Sequence, residues 1–376
     1  MINKILISFI LLTPGVMLCR ADIHPHQVAV LINENSPESR LIGRYYQEMR
    51  NIPPKNMIFL RTQTSDTIFH NHFRLEIESR VKETLSLAEN YAIKYLVTTK
   101  GLPILVLDSV AETSSPTGPY ETNTASLESD LMNALNGFNL YSGWNRRLSP
   151  SQKKSTKIEL TVLRLDGPGI VEIKNLLSHG MKAEKEGLKG SFIIDARGLP
   201  TKPIYDNQYD QSLRLLARLL TGKLPDVSVI YDSTARQMSE PDYAGAALYI
   251  GWPGSFKKKA GLLAPGALGF CLEPTLAGRF PDNSKSFSMS TQVAIGTSHT
   301  LGTIHPSVIT VFPVPHHYFA LLLSGKYALG EVIQKTAPHS SWMVSYIGDP
   351  MYQPFKTNPQ LDSLDMEYLL NTRLDE

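Results

Sequence analysis

Short apolar runs rich in Val, Ile and Leu alternate along this chain with stretches whose apolar positions recur at helical spacing. That alternation predicts strand–helix–strand units and a mostly parallel sheet. The first run, Val28 to Ile32, ends in the turn Asn33-Glu34-Asn35-Ser36-Pro37 and leads into a helix from Ser39 to Arg50. Strands follow at Met57 to Arg61 and Tyr95 to Thr99, with a helix from Phe69 to Ala92 between them. Further strands are expected at Ile158 to Leu163, Ser191 to Ile194, Val227 to Tyr231, Ala246 to Ile250, Ala267 to Phe270, His299 to Ile304 and Met343 to Ile347. Helices are expected at Ala125 to Leu135, Ile170 to Glu186, Asp210 to Thr221, Ser288 to Ala294 and Pro315 to Leu323. The fold class is therefore α/β, with mostly parallel sheets and helices on both faces.

Polar punctuation divides this pattern. Residues 109–124 are rich in Ser, Thr, Pro and Gly and 149–157 are polar again, so 109–157, with the short helix at Ala125 to Leu135 inside it, reads as a loop region inserted into a first α/β unit, residues 22–200. A second unit is expected over 201–356, followed by a polar tail, 357–376. Residues 1–21 differ from everything after them: Lys4, the apolar run Ile5 to Leu18 and the segment Cys19-Arg20-Ala21 form a signal-peptide pattern, with cleavage expected after Ala21. Leu18 is not the small residue that lipidation at Cys19 would want before the cysteine. No later stretch has the roughly 18 uninterrupted apolar residues of a membrane-spanning helix. The mature chain is expected to be exported, periplasmic or extracellular, without a transmembrane segment.

Composition narrows the function classes. The chain is 42% hydrophobic and 19% charged with a formal net charge of +2, which suits a compact domain and gives no reason to expect nucleic acid or a membrane surface as partner. Of its two cysteines, Cys19 leaves with the signal segment, so Cys271 has no intramolecular disulfide partner. Neither a phosphate-cradling glycine loop nor a zinc-ligand spacing is present, so no cofactor and no metal is expected. His24-Pro25-His26 and His316-His317 read as solvated surface, and Lys257-Lys258-Lys259 as an exposed loop.

In an open parallel sheet, ligands bind beyond the carboxyl ends of the strands. The residues expected there are unusually polar: Lys100, Arg164 with Asp166, Asp195 with Arg197, Trp252, Cys271, His305 and Asp349. If the strands are parallel, these turns share one edge and make a cleft for an unknown ligand or export-pathway component.

The stretches Val30 to Pro37, Tyr95 to Pro103, Ala125 to Leu131, Leu163 to Pro168, Asp195 to Gly198, Leu248 to Trp252, Pro265 to Leu268 and Gly348 to Phe355 resemble, in this order, those of a family of exported bacterial proteins found in genomes that carry the exosortase protein-sorting system. The resemblance implies an exported protein of one architecture, linked to surface-protein or polysaccharide export, and brings no catalytic residues. A more distant likeness is to gingipain-type, caspase-like cysteine peptidases, which pair two α/β halves side by side and place a histidine and a cysteine after neighbouring strands. Here the strands end in Gly251-Trp252 and in Cys271, and Trp252 stands where that group carries its histidine.

A cysteine nucleophile needs a base within about 3 Å, because the thiolate attacks. Cys271 with His305 is the candidate dyad, and His299 is the other histidine on that strand. The competing reading makes Cys271 a small apolar residue ending a buried strand beside Phe270 and Leu272. Asp166, Asp195 and Asp349 would form an acid–base pair or hold a hard cation if they converged. Arg164 and Arg197, each two residues from an aspartate, either pair with it or grip a carboxylate or phosphate, and Asp166 is also placed to cap the helix starting near Gly169. Two hypotheses follow: an exported ligand-binding protein, or a caspase-like hydrolase acting through Cys271 or degenerate.

Overall fold

Val28, Val30 and Ile32 point to one face of the first strand and Ala29 and Leu31 to the other, and both sets are buried in separate apolar cores. A strand covered on both faces belongs inside a sheet with helices above and below it. The computed structural model describes residues 22–107, 125–136, 159–197, 204–234, 236, 238–252, 261–272, 292–293, 296–303, 309–337 and 344–374. The expected helix at Ser288 to Ala294 and the run Lys257-Lys258-Lys259 fall largely or wholly outside these residues.

The strands are β1 (Val28–Asn33), β2 (Met57–Leu60), β3 (Thr67–Phe69), β4 (Tyr95–Thr99), β5 (Leu105–Leu107), β6 (Ala125–Ser126), β7 (Thr161–Leu165), β8 (Ser191–Asp195), β9 (Val229–Asp232), β10 (Ala246–Gly251), β11 (Ala267–Cys271), β12 (Thr297–Thr303) and β13 (Val344–Gly348). Ten of them form one sheet in the order β2-β1-β4-β7-β13-β12-β11-β10-β8-β9, and β3-β5-β6 form a small second sheet. The main helices are α1 (Pro37–Arg50), α2 (Ser79–Leu85), α3 (Leu127–Leu135), α4 (Ile170–Glu186), α5 (Ile204–Lys223), α6 (Glu240–Tyr243), α7 (Pro315–Leu323), α8 (Leu329–Thr336) and α9 (Ser363–Asn371). The chain enters α2 through a π-helical stretch, Phe73–Glu78.

One core joins α1, α4, α5, α7, α8 and α9 to one face of the sheet. The opposite face carries α2, α3 and the small sheet over the first strands, and Tyr243 of α6 with Leu262 and Leu263 over β8, β10 and β11. The fold is thus α/β with helices on both faces of a large, mostly parallel sheet. The two stretches expected as separate units share it, and β8 of the first lies among strands of the second, between β10 and β9.

β2, β1, β4 and β7 are mutually parallel, and so are β12, β11, β10, β8 and β9. β13 joins the two blocks. It is antiparallel to β12 and meets β7 at one residue pair, Ile347 beside Arg164, whose local sense taken alone is parallel. The ends of β13 fix its direction against β7. Val344, at its start, gives its carbonyl to the hydroxyls of Ser126 and Ser129, beside the segment that leaves the end of β4, where Leu127 N–H donates to the Ile104 carbonyl. Asp349, just past its end, meets Tyr46 and Arg50 at the far end of α1, where the chain turns back to begin β2. Gly266, one residue before β11, packs on Ala183 near the end of α4, so β11 begins on the side where β7 began. β13 therefore runs against both neighbours, and the two blocks point the same way.

One consequence corrects the sequence reading. Among the described residues, Lys100, Asp166, Asp195, Arg197, Trp252 and Cys271 end or follow strands on one side of the sheet, but Asp349 is carried to the opposite rim by its reversed strand. There Arg50 Nε donates to Asp349 while its two terminal nitrogens hold Glu184 at 2.8 and 2.9 Å, and Tyr46 donates to Asp349 at 2.7 Å. These groups are nearly enclosed, with side-chain exposures of 9% for Arg50 and 4% for Asp349. Removing one partner of a buried ionic group leaves uncompensated charge. Arg50→Ala is expected to lower stability by about 3–5 kcal/mol, measured by urea unfolding; a loss under about 1 kcal/mol would mean that the cluster is solvated.

Candidate functional site

Arg164 is not a rim residue. It lies inside β7, 1% exposed, and faces α3. Its Nε donates to Asp166 at 2.7 Å, Nη1 to Glu128 at 2.9 Å and to the Pro103 carbonyl at 3.1 Å, and Nη2 to the Leu102 carbonyl at 2.7 Å. Burial works against its charge, and the Glu128 and Asp166 carboxylates more than offset it, so Arg164 stays cationic. Asp166 also accepts from Gly167 N–H at 2.7 Å and does not cap α4, whose first flanking residue is Gly169. Lys100 donates to the Gly167 carbonyl at 3.0 Å and stands 3.7 Å from Asp166. The donors expected to grip a ligand at Arg164 and Lys100 are thus turned inward and tie the ends of β4 and β7 to α3.

A doubly wound sheet opens a crevice where neighbouring strands are followed by connections on opposite faces. Among the described residues, β1–β4 and β8–β10 are two such points. From β1 the chain passes through α1 to β2, and returns to β4 through α2 on the other face. From β8 it passes through α5 to β9, and returns to β10 through α6 on the other face. The β1–β4 crevice is filled by Asn33, which donates to the carbonyls of Gln63 (3.1 Å) and Gly101 (2.8 Å) and accepts from the N–H groups of Asn35 (3.1 Å) and Thr62 (3.4 Å). Gly101 closes the same gap: its φ is +95° and a Cβ there would meet Ser36 Oγ at 2.1 Å.

The β8–β10 crevice is different. Gly251 lets β10 approach β8 so closely that an added Cβ would stand 2.3 Å from the Asp195 carbonyl. Beyond this contact the chains diverge, and Arg197 and Trp252 occupy the opening. The Arg197 guanidinium lies over the Trp252 ring, 4.8 Å from its centroid, a cation–π geometry. Asp210 of α5 fixes both residues, accepting from Arg197 N–H at 2.7 Å and from Trp252 Nε1 at 3.1 Å while Arg214 holds its second oxygen at 2.8 Å. Among the described residues the Arg197 side chain donates no hydrogen bond and makes no ion pair. Asp195 is 3% exposed on the other face, 3.2 Å from the Tyr249 hydroxyl. Burial pushes its carboxyl up to about 6.

Cys271 ends β11 facing the α6 side, 2% exposed, in the core of Tyr243, Tyr249, Leu262 and Leu263. His299 cannot serve it. In register His299 sits beside Leu268, three residues before Cys271, hence roughly 10 Å away along the strand. Its ring faces the opposite core, where Tyr318 meets Nε2 at 2.6 Å and the Ile347 carbonyl meets Nδ1 at 2.7 Å. A carbonyl only accepts, so Nδ1 carries the proton and both nitrogens are engaged. Burial lowers the His299 pKa to about 4. His305 lies outside the described residues. His316, expected on a solvated surface, is 1% exposed, bridging Ser212 of α5 and the Thr372 carbonyl. Among the described residues no group of three or more His, Cys, Asp or Glu is placed to hold a metal ion, and no helix is long and apolar enough to cross a membrane.

Four residues that organise these sites went unnoticed in the sequence: Asn33, Glu128, Asp210 and Tyr249. Only Tyr249 left a signal, since alternation within Ala246 to Ile250 sets it on the face opposite Leu248 and Ile250.

No family model matches the chain, and no curated protein matches it. A solved structure described as "Structure of Protease" superposes with a TM-score of 0.44 at 11% sequence identity, over 88% of this chain and 78% of that one. A likeness at that level carries no functional assignment.

Two outcomes are expected. Cys271 should react with a thiol reagent such as DTNB at least about a hundredfold more slowly in the native protein than in urea, because a buried thiol is shielded from the reagent and forms little thiolate; comparable rates would restore it as a candidate nucleophile. Acid should destabilise the fold through His299. Its folded pKa is near 4, so between about pH 6.5 and that value the unfolded chain binds the proton and the folded one does not. Stability at roughly pH 5 should then be about 2 kcal/mol lower than at about pH 8 on account of this residue. Urea unfolding at the two pH values, compared with His299→Gln, measures it.

Proposed function

We propose that the protein is an exported ligand-binding protein that takes an anionic group, a carboxylate or phosphate, at the β8–β10 crevice through Arg197. The observation that carries this reading is the state of Arg197: held over Trp252, its backbone fixed by Asp210, its guanidinium donors uncommitted among the described residues. A planar fork of donors at a topological crevice is suited to oxyanions. The contrast with the β1–β4 crevice, filled by Asn33, supports a ligand role for one crevice and not both. Export rests on the signal-peptide pattern of residues 1–21, and a role in surface-protein or polysaccharide export rests on the family resemblance. The buried thiol of Cys271, with His299 on the other face, favours this reading over a cysteine hydrolase.

Isothermal titration with inorganic sulfate and phosphate near pH 5 tests the proposal. Both should bind, and Arg197→Ala should weaken binding at least about tenfold, the effect of losing a charge-assisted donor pair, without changing the unfolding midpoint. Equal binding by the wild type and the variant would remove the crevice from consideration.

A further inference from the structure

The Tyr249 hydroxyl has one proton, and its partners include the Tyr243 hydroxyl and two oxygens that can only accept when Asp195 is ionised. Its oxygen donates to the Trp252 carbonyl and also lies 3.2 Å from Asp195 Oδ2. A carbonyl oxygen can only accept, so that proton points to Trp252. The Asp195 contact is then a hydrogen bond only when the carboxyl carries a proton of its own and donates it to the tyrosine oxygen; with Asp195 ionised, two oxygens face each other with no hydrogen between them.

The surroundings favour the first arrangement. On β9, Asp232 stands beside Asp195 in register; it is bonded to Thr234 and Arg236, and it adds negative charge to the neighbourhood. On β10 and α6, the tyrosines Tyr249 and Tyr243 pack edge to face at 5.1 Å, and burial holds both hydroxyls well above their ordinary pKa. On β11, Cys271 is a buried thiol. The cations near enough to matter are Arg197 and Arg236, and neither pairs with Asp195 among the described residues: Arg236 is directed to Asp232 and Asp242, and Arg197 lies over Trp252.

We propose that Asp195 is a proton-carrying acid at this crevice and that its charge state sets the hold on an anion at Arg197, firm while the carboxyl is neutral and weak once it ionises. The inference rests on the anion-binding reading of Arg197, and adds a condition: the site captures an oxyanion in mildly acidic surroundings and loosens it as the pH climbs. The sign follows from charge alone, since a neutral Asp195 leaves the Arg197 guanidinium uncompensated and an ionised one repels the ligand.

The test uses the whole protein and sulfate, whose charge is constant over the range. Between about pH 5 and about pH 7.5, wild-type affinity should fall about tenfold, while Asp195→Asn, neutral and of the same shape, should keep the acid-side affinity at both. Independently of any ligand, the infrared carbonyl stretch of a protonated carboxyl group should be present at the lower pH, fade at the higher, and be missing from Asp195→Asn. A parallel fall in affinity in both proteins overturns the coupling, and absence of the band at the lower pH overturns the proton on Asp195. If sulfate binds neither protein at either pH, the anion reading of Arg197 fails, the coupling falls with it, and the band still decides the state of Asp195.

Discussion

β13 can run against both neighbours and still unite two blocks of parallel strands because it is fastened at each end by groups that a reversed strand alone could satisfy. At its start, the hydroxyls of Ser126 and Ser129 donate to the Val344 carbonyl. At its end, Asp349 meets Arg50 and Tyr46, and through Arg50 the carboxylate of Glu184 on α4. These are buried polar contacts, for which the alternative to pairing is unsolvated charge. Everything else in the molecule depends on the outcome: because β13 alone is reversed, the remaining strands deliver their carboxyl ends to one side.

On that side, two motifs with the same letters do opposite things. Arg164 and Asp166 close on each other and on Glu128 inside the protein, a buried network that fixes how α3 sits on β4 and β7. Asp195 and Arg197 do not meet. One turns to the α6 face, where burial pushes its carboxyl up to about 6; the other turns to the α5 face and lies on an indole. The difference is one of position along the strand. Arg164 falls at a side-chain position that points into a core, whereas Arg197 falls past the end of β8, where the chain has left the ladder.

That difference also marks what the sequence could reveal. Alternation and flanking turns were enough to find the long strands and α1, α4 and α7, and the α/β class followed from their order. Strand ends were placed one or two residues early, at Leu163 rather than Leu165 and at Ile194 rather than Asp195. A slip that small moved Arg164 from core to rim. The three short strands β3, β5 and β6 are two or three residues long, too brief to show a period. The direction of β13 was beyond reach, since a buried strand reads the same either way and its reversal is decided by Arg50 and Asp349, which lie far apart in the chain. Asn33 was read as a turn residue, and nothing local shows that its amide would span four backbone groups.

The order of strands has one more implication, for the size of what can be bound. The Asn33 crevice and the Arg197 crevice are six strand spacings apart in the sheet, or about 29 Å at about 4.8 Å per step. No metabolite-sized molecule bridges that distance. A small ligand therefore belongs to one end of the molecule, and only something extended, such as a glycan chain or an unfolded polypeptide, would lie along the whole row of strand termini and feel both ends at once.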